Sequence, residues 1–268
     1  MNPDWIVPDW PAPTGVRAVF TTRTGGVSGN PYASLNLGHQ VGDAPAAVTA
    51  NRQTLQKALD GARPQFMQQV HGTHTAWLAP TSGAVQADAC ITSLTGLACT
   101  VMVADCLPVL FTTSQGDLVA AAHAGWRGLC QGVLESVLNE ILTFRHSSTG
   151  YDAINNEANA VLAWLGPCIG PQAFEVGLEV RDAFLATGLG QQNAACFKPL
   201  GKGKYLADLP ALARLRLHAL GVTQLYGNDG SDAWCTVTES SRFFSHRRDS
   251  PRLGATGRMA ACIWRLER

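Results

Sequence analysis

The sequence predicts a mixed α+β architecture, on three observations. Short apolar or β-branched runs bounded by glycine, proline and other turn residues recur along the 268 residues. Stretches with helical apolar spacing lie between some of them, and the two kinds do not alternate in the regular strand-helix-strand rhythm of a parallel, doubly wound sheet. No internal repeat or low-complexity tract interrupts the pattern, so residues 1–268 are expected to form one domain, near the upper size for a single core.

Taken in order, the Trp-Pro-rich leader gives way to a strand at Val16 to Thr22 and a turn-rich loop, Arg23-Thr24-Gly25-Gly26-Val27-Ser28. Pro45 to Leu59 has helical spacing, with Pro45 in the first turn and Asp43 available as a cap. Phe66 to Val70 and Thr75 to Leu78 are strand candidates on either side of His71-Gly72, which puts His71 at a strand end. Cys99 to Val103, Pro108 to Thr112 and Leu118 to Ala122 are apolar, and Ser114 to Asp117 supplies a turn, the pattern of a buried hairpin. Trp126 to Phe144 carries a helical stripe through Leu129, Val133, Leu134, Val137, Leu138 and Ile141. Arg145 to Ala158 is polar and reads as a surface insertion, Val161 to Leu165 as a strand, and Gly166 to Pro171 as a rigid turn. Gly177 to Leu185 and Ala207 to Leu220 look helical, and Val222 to Tyr226 and Met259 to Trp264 are the last strands. The basic run Arg242 to Arg248 reads as a surface segment.

Composition narrows the function. Lys plus Arg equals Asp plus Glu at 20 each, so no global field draws the chain to nucleic acid or an anionic membrane, and a small-molecule partner is expected. Met1 to Pro13 has no basic region followed by an apolar run, and no stretch is long enough to span a membrane. A cytoplasmic, monomeric protein is expected. Eight cysteines spread through apolar surroundings then read as buried thiols rather than a disulfide framework, with Cys106 the exception.

Cys106 carries the chemistry together with two histidines. A hairpin centred between Ser114 and Gln115 would set Cys106 opposite His123, with Cβ atoms about 4.5–5.5 Å apart and able to share one metal ion. Pro108 removes a ladder donor and is a possible source of a bulge that shifts this register. A catalytic zinc needs a third protein ligand, and His71 is the leading candidate, with copper as competitor for the same His-Cys-His set. In a regular strand Asp105 points to the other face, so it reads as a carboxylate that supports the ligands or the fold rather than as a ligand itself. The same residues also suit a metal-free reading in which Cys106 is a thiolate nucleophile and His123 its base. Gly125 and Arg127, at a strand-to-helix turn, offer amides and a guanidinium to an anion, or else only a permissive turn; Arg23 is a second anion candidate.

The words Phe20 to Ser28, Ser34-Leu35-Asn36-Leu37-Gly38, Gln69-Val70-His71-Gly72, Ala87-Asp88-Ala89, Thr100 to Val109, Ala122 to Gly128 and Gly166-Pro167-Cys168-Ile169-Gly170 resemble the YfiH-like family, also described as laccase-domain or multicopper polyphenol oxidase-like proteins. The resemblance implies an α/β/β/α sandwich with a mixed β-core, and zinc held by His71, Cys106 and His123. It also implies phosphorolysis of adenosine, inosine and 5'-methylthioadenosine and deamination of adenosine. Cys106 and His123 are then catalytic, Asp88 is assigned as general acid or base, and Arg23, Asn36, Gly125 and Arg127 are assigned to substrate or phosphate. Competing activities are a copper-dependent polyphenol oxidase, an amidase that edits a peptidoglycan precursor, and the Cys-His hydrolase.

Overall fold

A computed structural model describes residues 2–80, 85–149 and 158–267. Along the chain run β1 (Val16–Phe20), α1 (Pro45–Lys57), β2 (Arg63–Phe66), β3 (Thr75–Trp77), β4 (Ala89–Thr92), β5 (Leu97–Val103), β6 (Leu107–Thr113) and β7 (Val119–Ala124). There follow α2 (Trp126–Gln131), α3 (Val133–Thr149), β8 (Val161–Leu165), β9 (Glu175–Gly177), α4 (Leu178–Leu185), α5 (Gly190–Ala194), β10 (Phe197–Gly201) and β11 (Lys204–Ala207). The last elements are α6 (Leu209–Ala219), β12 (Gln224–Gly227), α7 (His246–Leu253) and β13 (Met259–Arg265).

Two mixed sheets form the centre, one ordered β1-β13-β5-β2 and the other β12-β8-β6-β7-β4-β3. Alternation along each strand divides the side chains between layers. Phe20, Val101, Val103, Leu110, Val119, Ala121, Met259 and Ile263 fill the space between the sheets. The opposite faces take helices. Val19, Ala98, Ala260 and Cys262 meet Leu55 of α1, while Phe111, Ala120 and Ala122 meet Leu134, Val137 and Ile141 of α3 and Leu217 of α6. The order is therefore α/β/β/α, as expected. Each fully buried Leu, Ile or Phe in these layers contributes roughly 1.5–3 kcal/mol by leaving water. A smaller sheet, β10-β11-β9, stands apart from these two.

Several local expectations are corrected. The stripe from Trp126 is two helices, because Gly132 adopts φ 105 and ends α2 with its N–H donating to the carbonyls of Gly128 and Leu129. β2 stops at Phe66, so His71 lies in the loop between β2 and β3 rather than at a strand end. Asp43 does not cap α1: Ala44 holds the N-cap position, and the carboxylate accepts from Ala44 N, Ser28 Oγ and Asn36 Nδ2. Arg242 to Arg248 is not simply surface, since Phe243 and Phe244 are fully buried between the sheets and α7 starts at His246. α3 continues through Arg145 to Thr149, and residues 150–157 of the expected insertion lie outside the described residues. All eight cysteines are free thiols, with only Cys106 and Cys130 partly exposed.

Candidate metal centre

The hairpin expected around Cys106 and His123 exists as β6–β7, but its register differs. Leu107 pairs with Ala124 and Pro108 with His123, so the hairpin is centred between Gln115 and Gly116. Gly116, at φ 67, takes the left-handed position of the turn and donates to the Thr113 carbonyl. Pro108 causes no bulge. Its carbonyl accepts from Gly166 N, so its missing N–H also faces the β8 side and costs β7 nothing. Cys106 is thus diagonal to His123 rather than opposite, on the same inter-sheet face, just before β6.

The register of β4 with β7 brings in the next residue. Ala89 pairs with Ala122, so one step further Asp88 stands beside His123, whose N–H donates to the Asp88 carbonyl at 2.7 Å. The Asp88 carboxylate lies 2.8 Å from His123 Nδ1 and accepts from the amides of Val70, His71 and Gly72 at 3.1, 2.9 and 2.7 Å. One buried carboxylate therefore orients the His123 ring and fixes the loop that carries His71, a residue in the left-handed region at φ 61. Gln69 adds a second anchor. Its side-chain amide donates to Met102 O and accepts from Met102 N, which docks the loop on β5.

His71, Cys106 and His123 bring one ligand atom each to within 4.8 Å of one another. Cys106 Sγ is 3.7 Å from His71 Nε2, close to the edge of roughly 3.6 Å that standard Zn–S and Zn–N lengths give in a tetrahedron. With Nδ1 of His123 held by Asp88, Nε2 is the ring atom left for a ligand, the aspartate-histidine arrangement common at zinc. The residues fit a metal ion. Gly125 matters through its missing side chain, because a Cβ there would sit 2.8 Å from His71 Cδ2 and 3.0 Å from Cys106 Sγ.

The side chains of the centre hold separated charge. Burial opposes a Cys106 thiolate, but the rings of His123 and His71 outweigh it and bring the thiol down to about 6. Burial likewise opposes an imidazolium at His123, and Cys106 with Asp88 carries that ring up to about 9. For Asp88, burial is overcome by its donors from His123, Gly72 and Val70, so its carboxyl is held below the usual range.

His71, Cys106 and His123 open on a cavity of about 660 Å³ lined also by Arg52, Phe66, Met102, Ile169, Phe174, His246, Arg247, Arg258 and Arg127. Arg127 reaches it from an exposed position stacked on Trp126. Asp88 and Gly125 are not part of the cavity wall; they touch the centre through His123 and through His71 and Cys106, respectively. Arg23 is not brought to the cavity: its guanidinium donates to the carbonyls of Ala33 and Ser240 and lies over Phe244. Asn36 is fully buried and also lies outside the wall, where it accepts from the amides of Gly38 and Arg258. Asp105 does not stand in a regular strand, as its reading assumed: between β5 and β6, at φ 88, it borders the cavity, and its carboxylate accepts from Thr236 Oγ1 and Arg247 N. Sequence reasoning missed Arg52 and Arg258, because only the packing of α1 over Phe66 and the pairing of β13 with β5 reveal their places.

A two-sheet sandwich with a His-Cys-His centre at the end of its inter-sheet face defines the class of protein. The sequence profile of a family described as multi-copper polyphenol oxidoreductase laccase matches residues 17–266. A protein of Escherichia coli named purine nucleoside phosphorylase YfiH is 48% identical over 261 residues, 97% of this chain and 98% of that one. One of Pseudomonas aeruginosa, also named a purine nucleoside phosphorylase, is 46% identical over 260 residues, with coverage of 97% and 98%. Among solved structures, a Neisseria meningitidis protein superposes with a TM-score of 0.86 at 44% identity, covering 98% of this chain and 100% of its own. Bacillus licheniformis YfiH gives 0.81 at 30% identity, with coverage of 94% and 93%. This chain belongs to the YfiH family.

Proposed function

We propose that this chain is a zinc-dependent purine nucleoside enzyme that phosphorolyses adenosine, inosine and 5'-methylthioadenosine and hydrolytically deaminates adenosine. The observation that carries this reading is the convergence of His71, Cys106 and His123 on one cavity. Its volume lies in the range of small-molecule sites, roughly 300–1,000 Å³, and the names of the 46% and 48% identical relatives support the nucleoside class. Zinc, when bound, supplies Lewis-acid chemistry and carries no redox role.

The chain's own residues do the rest. Asp88 keeps a proton on His123 Nδ1 and so presents Nε2 to the metal, a positioning role in place of general acid or base. Phe66, Met102, Ile169 and Phe174 offer apolar walls to a purine ring. In phosphorolysis, a phosphate oxygen bonds to the ribose C1' as the glycosidic bond breaks. The electron pair leaves on the purine nitrogen, which takes the proton that phosphate gives up; free base results, with ribose 1-phosphate from adenosine and inosine and 5-methylthioribose 1-phosphate from 5'-methylthioadenosine. In deamination, water replaces the purine amino group and ammonia leaves.

One observation favours a second reading. With a thiol at about 6, an imidazole at about 9 and Asp88 behind it, Cys106 and His123 have the charge state of a metal-free cysteine hydrolase. Chromatography of adenosine incubations separates the readings. The zinc reading expects adenine only with phosphate, inosine without it, and loss of both after chelation with recovery on zinc reloading. Full turnover by the chelated protein contradicts it and favours the thiolate. Absence of purine products from the zinc-loaded protein contradicts the nucleoside substrate and turns the test to an amide of a peptidoglycan precursor.

A further inference from the structure

Arg258 is built into the cavity from a segment that the metal centre does not use. It precedes β13, whose Met259 pairs with Val103 at the end of β5, so Arg258 stands beside the turn that carries Asp105 and Cys106. The Asn36-Leu37-Gly38 segment clamps it. Arg258 N donates to Asn36 Oδ1 at 2.9 Å, Leu37 N donates to Arg258 O at 3.1 Å, and a Cβ on Gly38 would sit 2.8 Å from Arg258 Cγ. Asn36 is held in turn by Gly38 and by Asp43.

The guanidinium is only partly satisfied. Nη1 donates to the carbonyls of Thr256 and Gly257, both at 3.2 Å, and among the described residues no carboxylate forms an ion pair with Arg258. Nε and Nη2 have no protein partner there and are not sealed from solvent. The other cavity arginines differ. Arg52 is stacked on Phe66 and donates to Leu37 O, and Arg247 Nη1 donates to the carbonyl of Glu175. The negative groups whose field reaches Arg258, Cys106 and Asp105, are engaged elsewhere: Asp105 accepts from Thr236 Oγ1 and Arg247 N, and Cys106 Sγ lies 3.7 Å from His71 Nε2.

A half-buried cation with a free pair of donors in fork geometry calls for an oxyanion from solution. We propose that Arg258 binds the phosphate co-substrate, and that the Asn36-to-Gly38 segment exists at this site to aim it. The inference rests on the phosphorolytic reading above, and it replaces Arg23 by Arg258 as the phosphate residue.

The test compares zinc-loaded wild type, Arg258→Gln, Arg258→Lys and Arg127→Gln, with zinc content measured for each. Titration of inorganic phosphate by calorimetry and the phosphate KM for base release from inosine are the readouts, with the inosine KM as the internal comparison. Loss of charge-assisted hydrogen bonds predicts a rise of about 10–100-fold in phosphate KM for Arg258→Gln. The inosine KM should move far less, zinc should be retained, and Arg258→Lys should fall between, because it keeps the charge without the fork. An unchanged phosphate KM in Arg258→Gln, or a shift confined to Arg127→Gln, overturns the inference while leaving phosphorolysis in place. A wild type that neither binds phosphate nor releases base overturns the phosphorolytic reading, and this inference with it.

Discussion

Three loop amides and one imidazole converge on Asp88, so a neutral amide in its place must turn its NH₂ toward donors or abandon His123. Asp88→Asn should lower zinc affinity by about 10–100-fold, measured by competition with a chromophoric chelator, while the fold persists. An unchanged affinity would remove Asp88 from the centre's design. The pH dependence of metal binding follows from its neighbours. Between about 6 and about 9 the metal-free centre holds a Cys106 thiolate and a His123 imidazolium. A metal requires both deprotonated, so, counting these two groups, binding should release one proton in that window and two below about 6. Affinity should accordingly rise with pH and level off above about 9. Calorimetry in buffers of different ionisation enthalpy reads the proton count directly, and zero protons at neutral pH would contradict the assignment.

At the scale of elements, Gly125 begins α2 where a side chain would collide with His71 and Cys106. Gly125→Ala should therefore lose metal with far-UV circular dichroism unchanged; retention of stoichiometric zinc would refute this packing account. Phe244 illustrates the opposite lesson. Flanked by Arg242, Arg247 and Arg248, it looks like surface, yet it is fully buried between the sheets. Phe244→Ala should cost about 3–5 kcal/mol in urea unfolding, against near zero for a surface residue. Elements whose signal is local were legible: β1, β8, β13, α6 and the hairpin of β6 and β7 follow from apolar runs between turn residues. The register of that hairpin was not, because Gly116 rather than Ser114 sets the turn. Nor were β9, β10 and β11 legible, being short and largely exposed, with Pro199 and Gly201 in one of them.

For the whole molecule, the site lies where the two sheets end together. β4, β6 and β7 of one sheet bring Asp88, Cys106 and His123, while β5 and β13 of the other bring Met102 and Arg258, with helix α1 adding Arg52. His71, Cys106 and His123 were readable because each sits in a distinctive local word. Arg258 was not, since the strand order β1-β13-β5-β2 joins the end of the chain to its middle, nor was Arg52, which arrives by the packing of α1 over Phe66, and neither long-range contact leaves a local trace. Among the described residues no helix is long and apolar enough to cross a membrane. The most direct test of the account is metal content by mass spectrometry on purified wild type and Cys106→Ser, with adenosine turnover measured on the same samples. With a zinc centre, wild type should carry about one zinc per chain and turn over adenosine, and Cys106→Ser should do neither. A metal-free wild type that turns over adenosine, with Cys106→Ser inactive, would contradict the zinc centre and make Cys106 itself the nucleophile.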